Sequence, residues 1–220
     1  YAVRDQVNST NVYFQLTSSL YAVDLKSPTF RGVYDNEKWN LAIRVKPKKY
    51  PYTNFVSGST NDYTIEFYGV NHNYDSKQNE FSLSTNMTTA HGESFLKGNK
   101  RVYTGARRQN NTGSILHNCD ALVSSVRYWD SYLTDSEITE HSKDPTIFGP
   151  KLASKNYRIQ SNKIKANSLL LSWDFDTITT SNASGEFVVT DLSSGSIDTS
   201  ATYASSYLFE ITSGELTPLD

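Results

Sequence analysis

A chain of 220 residues with 37% hydrophobic content, 15 Tyr, 10 Phe and 3 Trp is long enough to bury about 70% of its unfolded surface, so it needs neither a disulfide nor a metal to fold. Its formal charge of −2 gives no electrostatic ground for nucleic acid or an anionic membrane as partner. The single Cys119 excludes an intrachain disulfide framework, and no run nears the roughly 18 apolar residues that would cross a bilayer as a helix.

Aromatic and β-branched residues set among Ser, Thr, Asn and Gly read as strands and turns. Tyr21, Val23 and Leu25 share one face of a first strand. In the next, Trp39, Leu41, Ile43 and Val45 form the inner set, with Asn40 and Arg44 outside, and Pro47 ends the ladder. Lys46, Lys48 and Lys49 read as a solvated cluster, as do Lys97, Lys100, Arg101, Arg107 and Arg108. Tyr63, Ile65 and Phe67 stand opposite Thr64, Glu66 and Tyr68, and Phe81, Leu83 and Thr85 repeat the pattern. One dry face and one wet face is how antiparallel sheets are written. Turn chemistry at Ser57-Gly58, Asn71-His72-Asn73, Gly98-Asn99 and Asn110 to Gly113 completes the expectation: an all-β fold, a two-sheet antiparallel sandwich or jelly roll.

One short helical turn is expected. Thr134-Asp135-Ser136-Glu137 is a capping box, with Leu133 and Ile138 at the staple positions and Pro145 as the stop. Alternation then fades from Thr146 to Ser168 and restarts with Leu169, Leu171, Trp173 and Phe175 on one face. It continues in Phe187 to Val189 and in Tyr203 to Ile211. The expected organisation is a sandwich over 1–148, a linker or long connection over 149–168, and strands over 169–220 that either open a second module or close the first. The start at Tyr1, without an initiator Met, adds the expectation of a piece of something longer.

The run Ala121 to Asp130, followed by Leu133 to Ile138 and His141, resembles the C-terminal signature of laminin-G-like and pentraxin-like domains of the concanavalin-A-like superfamily. There a strand of the type I-D-E-V-R-I-Y leads to R-A-L-S-D-E-E-I. Leu122 and Val126 match the first apolar positions, Arg127-Tyr128 the R-I/V-Y element, and Leu133 to Ile138 the helical turn. Leu170 to Asp176, Gly185 and Val189 to Gly195 resemble the opening of the same domain type. That end signature precedes start signature leaves tandem repeats and a permuted closure both open. Asp24 to Tyr50 also looks like stretches of large virion structural proteins of tailed bacteriophages, which carry such modules on tails, baseplates or capsid surfaces.

The superfamily includes glycoside hydrolases, whose retaining members need two carboxyl groups about 5 to 5.5 Å apart. Asp62 and Glu66 would lie about 13 Å apart along a strand, and Thr60 stands where a glutamate is wanted. Asp174 and Asp176 sit about 7 Å apart on a face that reads as wet. His72, His91, His117 and His141 are scattered, and His117 with Cys119 lacks a second pair for zinc. A non-catalytic protein is therefore expected. Calcium, which takes six to eight oxygens, has candidate ligands in Asn71, Asn73 and Asp75; such turns also arise for backbone reasons alone. Carbohydrate would stack on Tyr50, Tyr52, Tyr68 or Tyr74, which equally suit sheet edges or a subunit contact. The resemblance implies a structural or adhesion module on a virion surface, in contact with other subunits and with host glycans. The second reading is a secreted or cell-surface lectin-like domain with a carbohydrate or calcium site.

Overall fold

The computed structural model describes residues 1–48, 62–100, 102–104, 106–109, 114–118, 121–143, 169–175, 187–190, 200–203 and 209–210. The fold is mostly β, and every pairing among the described strands is antiparallel. The chain forms two compact units, one of residues 1–96 and 132–153, the other of 97–131 and 154–220. These boundaries fall elsewhere than the expected 1–148 and 169–220, and the expected linker 149–168 lies outside the described residues.

The first unit holds β1 (Ala2–Arg4), β2 (Val12–Ser18), β3 (Val23–Lys26), β4 (Trp39–Pro47), β5 (Tyr63–Asn73) and β6 (Ser76–Met87), with α1 (Thr89–Lys97) and α2 (Asp135–Lys143). The strands form two three-stranded sheets, β1-β2-β3 and β4-β5-β6. Alternation turns Val12 and Phe14 of one sheet towards Phe67 and Phe81 of the other. Phe14 and Phe81 stack at 5.6 Å, and Trp39 meets Phe14 at 4.8 Å. A second cluster joins Val23 to Tyr63, Ile65 and Met87, closed by Phe95 and Leu96 of α1. Both clusters are built from residues between Val12 and Leu96.

Three expectations need correction. Two nine-residue helices stand where one helical turn was expected. Gly92, a poor helix former, hid α1 from the sequence reading; a Cβ there would lie 2.2 Å from Tyr63 Cγ, so packing demands the glycine. Arg44, placed on the wet face, is only 7% exposed, because α2 lies against β4 and β5 on that side. Leu41 and Ile43, placed in the inner set, are 44% and 53% exposed, while their strand neighbours Trp39 and Val45 do pack against the clusters. β5 is thus covered on both faces, by the opposing sheet and on the side where α2 lies, with Tyr68 and Val70 buried there.

The second unit holds β7 (Tyr103–Thr104), β8 (Ala106–Arg108), β9 (Ile115–Asn118), β10 (Ser125–Trp129), β11 (Leu169–Asp174), β12 (Phe187–Thr190), β13 (Ser200–Tyr203) and β14 (Phe209–Glu210). β10 pairs with β11, placing Val126 opposite Trp173 and Tyr128 opposite Leu171. The stretches that resemble a domain's end and its opening are therefore hydrogen-bonded to each other. Leu169, Leu171 and Trp173 are buried, as their shared face requires. Leu122 is not in the strand; it is fully exposed in the loop ahead of β10. β14 returns to pair with β7, and β12 with β13.

Two close approaches test this packing. A Cβ at Gly69 would meet Phe81 Cε1 at 2.2 Å, and Leu41 Cδ2 at 3.0 Å. Gly69→Ala and Gly92→Ala should each destabilise the chain by roughly 1–3 kcal/mol, read as a lower denaturant midpoint at unchanged slope.

Candidate functional site

Chemistry gathers on the face of β4-β5-β6 that bears α2. Arg44 is held by Glu66 of β5 (Nη2 to Oε2, 3.1 Å) and by Asp135 at the start of α2 (Nη1 to Oδ1, 2.6 Å). Its Nη1 also donates to the Leu133 carbonyl at 3.0 Å. Lys46, expected to be solvated, reaches Glu66 Oε1 at 2.6 Å and donates to the Tyr132 hydroxyl at 3.2 Å. That hydroxyl donates in turn to Glu66 Oε2 at 2.7 Å. Both cations also lie near the Tyr132 ring, at 5.0 and 4.6 Å from its centroid. Two cations face two carboxylates, so the formal charges of the group cancel.

Burial pushes the Glu66 carboxyl up, but the Lys46 and Tyr132 hydrogen bonds and the Arg44 charge outweigh it, leaving the group below its ordinary value of 4.5. Tyr132 moves the other way: burial raises its hydroxyl above 10.0, which keeps it a donor at neutral pH.

The capping box forms as the sequence implies. The Thr134 amide donates to Glu137 Oε2 at 2.7 Å, and the Glu137 amide to Thr134 Oγ1 at 3.4 Å. Leu133 and Ile138 at the staple positions are buried. Their burial stabilises α2 by about 1.5–3 kcal/mol each. Ordering its nine residues costs about 1–2 kcal/mol each in backbone entropy. The helix's own hydrogen bonds and the polar contacts must supply the rest.

Farther along α2, the Tyr68 hydroxyl donates to Glu80 Oε2 at 3.1 Å and lies 3.3 Å from Thr139 Oγ1. His72 Nδ1 lies 2.7 Å from Ser142 Oγ. A serine beside a histidine is a nucleophile-and-base arrangement only if the hydroxyl proton points at the ring. Here Ser142 Oγ also lies 2.7 Å from the Thr139 carbonyl, an acceptor that competes with the ring for the single hydroxyl proton. The pair ties strand to helix. Burial, then Lys143 and Lys77, push the His72 ring below its usual 6.5, against the pull of Glu140 and Asp75.

The residues singled out from the sequence are scattered. Tyr50 and Tyr52 lie outside the described residues, as do Cys119, Pro145 and Asp176. Tyr68 is 2% exposed and committed to Glu80 and Thr139, so it offers no ring face for a sugar. Asn71 is turned inward, its Nδ2 donating to the Lys38 carbonyl at 2.9 Å, while Asn73 and Asp75 stand in solvent beyond it. No group of three or more His, Cys, Asp or Glu among the described residues gathers for a metal. Tyr74 is the exception: it is 92% exposed at the two-residue turn joining β5 to β6. Its φ of 52° is a left-handed conformation that asparagine or glycine adopts more readily than tyrosine.

Set against known proteins, the chain matches no family model, no curated protein and no solved structure at a significant level. No described helix is long and apolar enough to cross a membrane.

Because the folded Glu66 carboxyl titrates below its unfolded value, its stabilisation is full above about pH 5. It is lost as pH falls through the depressed value. Glu66→Gln should therefore flatten the acid limb of a plot of melting temperature against pH. Removing this partner leaves Arg44 buried beside one fewer anion, so at pH 7 the variant should lose more stability than Arg44→Met, which removes the buried charge itself.

Proposed function

We propose that the chain is a non-catalytic structural and adhesion module of a virion surface, on a tail, baseplate or capsid decoration. Its sandwich would be of the laminin-G-like, jelly-roll kind, and it would make contacts with other subunits and with surface glycans. The observation that carries this reading is Tyr74, an almost fully exposed ring kept in a backbone conformation unfavourable to its side chain. A residue that strains its own turn and packs against little of its own fold is best explained by a contact outside it. Tyrosine suits that work, having an apolar face for a sugar ring or an apolar neighbour and a hydroxyl at its edge.

Leu41 and Ile43 add to the case. They lie at alternate positions of β4, share a face with the core and are half exposed. An apolar strip of this sort supports a subunit contact. The charged side chains of β4 and β5 point the other way in purpose, since Arg44, Lys46 and Glu66 are spent on one another and on the α2 segment.

The test is a glycan array with and without EDTA, run beside sedimentation of the same chain. Expected are calcium-independent glycan binding that Tyr74→Asn weakens at least about ten-fold, and self-association that Leu41→Ser with Ile43→Ser weakens. Tyr74→Asn should also stabilise the fold by about 1 kcal/mol, by relieving the left-handed tyrosine. Tight binding abolished by EDTA and indifferent to Tyr74 would overturn this reading in favour of a calcium lectin. Neither glycan binding nor self-association would overturn it as well.

A further inference from the structure

We infer that α2 is a releasable clasp, able to leave the β4–β5 face as a unit while the sandwich of the first unit stays folded. Chain connectivity is the first ground. The polypeptide leaves the first unit after Leu96, returns at Tyr132, and leaves again after Ala153. Residues 132–153 are all that this unit receives from the chain beyond residue 96.

The second ground is what holds the returning segment. Among the described residues, the members of both apolar clusters lie within Val12 to Leu96, so withdrawing α2 removes none of them. Its described polar ties to the sheet end on sheet side chains: Arg44 to the Leu133 carbonyl and to Asp135, Glu66 and Lys46 to Tyr132, Tyr68 to Thr139, and His72 to Ser142. Water can replace each of these without breaking a backbone ladder, unlike the bonds that join β4 to β5 and β5 to β6.

The third ground is the charge left behind. When the clasp leaves, Arg44 keeps Glu66, and Glu66 keeps Lys46, because all three belong to the sheet. No ion is stranded without a counter-charge, which would otherwise oppose opening. Among the described ion pairs between sheet and clasp, Asp135 is the partner that departs, and its side chain is 58% exposed, so water already reaches it when the clasp is shut. Leu133 and Ile138 are the apolar anchors that must also come out. With the clasp open, residues 1–96 are joined to the rest of the chain by one covalent crossing, at 96/97, in place of three.

Native-state hydrogen exchange of the whole chain, followed peptide by peptide in low denaturant, tests this. Amides of 135–143 should exchange at least about ten-fold faster than those of β2 and β5, and with a smaller denaturant dependence than global unfolding. Asp135→Asn should speed exchange of α2 by about three- to ten-fold and leave β2 and β5 unchanged. Ile138→Ala, which removes an apolar anchor instead of a charge, should speed exchange of α2 further, by about ten-fold or more, and again leave β2 and β5 unchanged. Exchange of α2 in step with β5, with the denaturant dependence of global unfolding, would overturn the inference. So would α2 amides in the parent chain exchanging as fast as an unfolded peptide, since the clasp would then never be shut.

Discussion

A guanidinium withdrawn from water must be met on several sides, and Arg44 organises the first unit for that reason. Its partners come from three places: Glu66 on the neighbouring strand, the Leu133 carbonyl ahead of α2, and Asp135 in the helix's first turn. The planar fork of arginine serves this better than the single ammonium of lysine, because separate nitrogens can address separate acceptors. Once Arg44 is fixed, Glu66 is committed, and Lys46 and Tyr132 follow, each bonded to it and to one another. The placing of Leu133 and the beginning of α2 are set by the same side chain. Asp135 gains twice over, since a carboxylate in the first turn also suits the positive end of the helix dipole.

A consequence is that β5 has no face to spare. Its odd positions fill the space between the sheets and its even positions face the α2 side, so Tyr68 serves packing and hydrogen bonding. What the strand offers to a partner is confined to its end, where the hairpin turns at Tyr74 and Asp75. The division of labour is physical. Charges are consumed where burial makes them expensive to leave unpaired, and among the groups left facing outward are the aromatic Tyr74 and the aliphatic Leu41 and Ile43.

Much of this was legible in the sequence, for local reasons. Period-two alternation gave the partition of Tyr63, Ile65 and Phe67 from Thr64 and Glu66, and it gave the buried row Leu169, Leu171 and Trp173. The capping box was legible because it needs only residues three apart. Arg44 was misplaced because alternation reports which residues share a face and says nothing of what covers it. The covering segment lies 89 positions away. α1 was missed because Gly92 answers to the ring of Tyr63 and not to helix propensity. Leu41 and Ile43 show the converse: their pattern is that of an inner face, and yet they stand half exposed. Of the site, Tyr74 is legible in the sequence as an aromatic at a strand end or loop, while its backbone strain is visible only in three dimensions.

The same 89-residue separation bears on the order of assembly. Closing a flexible loop of that length costs about 4 kcal/mol in chain entropy, beyond a constant term. One hydrogen bond or exposed ion pair contributes too little to offset it. Two arrangements lower the cost: several contacts made together, or a span already shortened by folding of its own. The chain has both means. Arg44, Lys46, Tyr68 and His72 all meet the returning segment, and residues 97–131 between the two anchors belong, with 154–220, to the second compact unit. The two packed sheets of residues 1–96 close spans almost as long, 67 positions from Phe14 to Phe81, but gain two apolar clusters by doing so and need no residue of α2 for them. With that larger apolar gain the sheets form ahead of the clasp, and Arg44 acquires its last two partners only when the chain comes back.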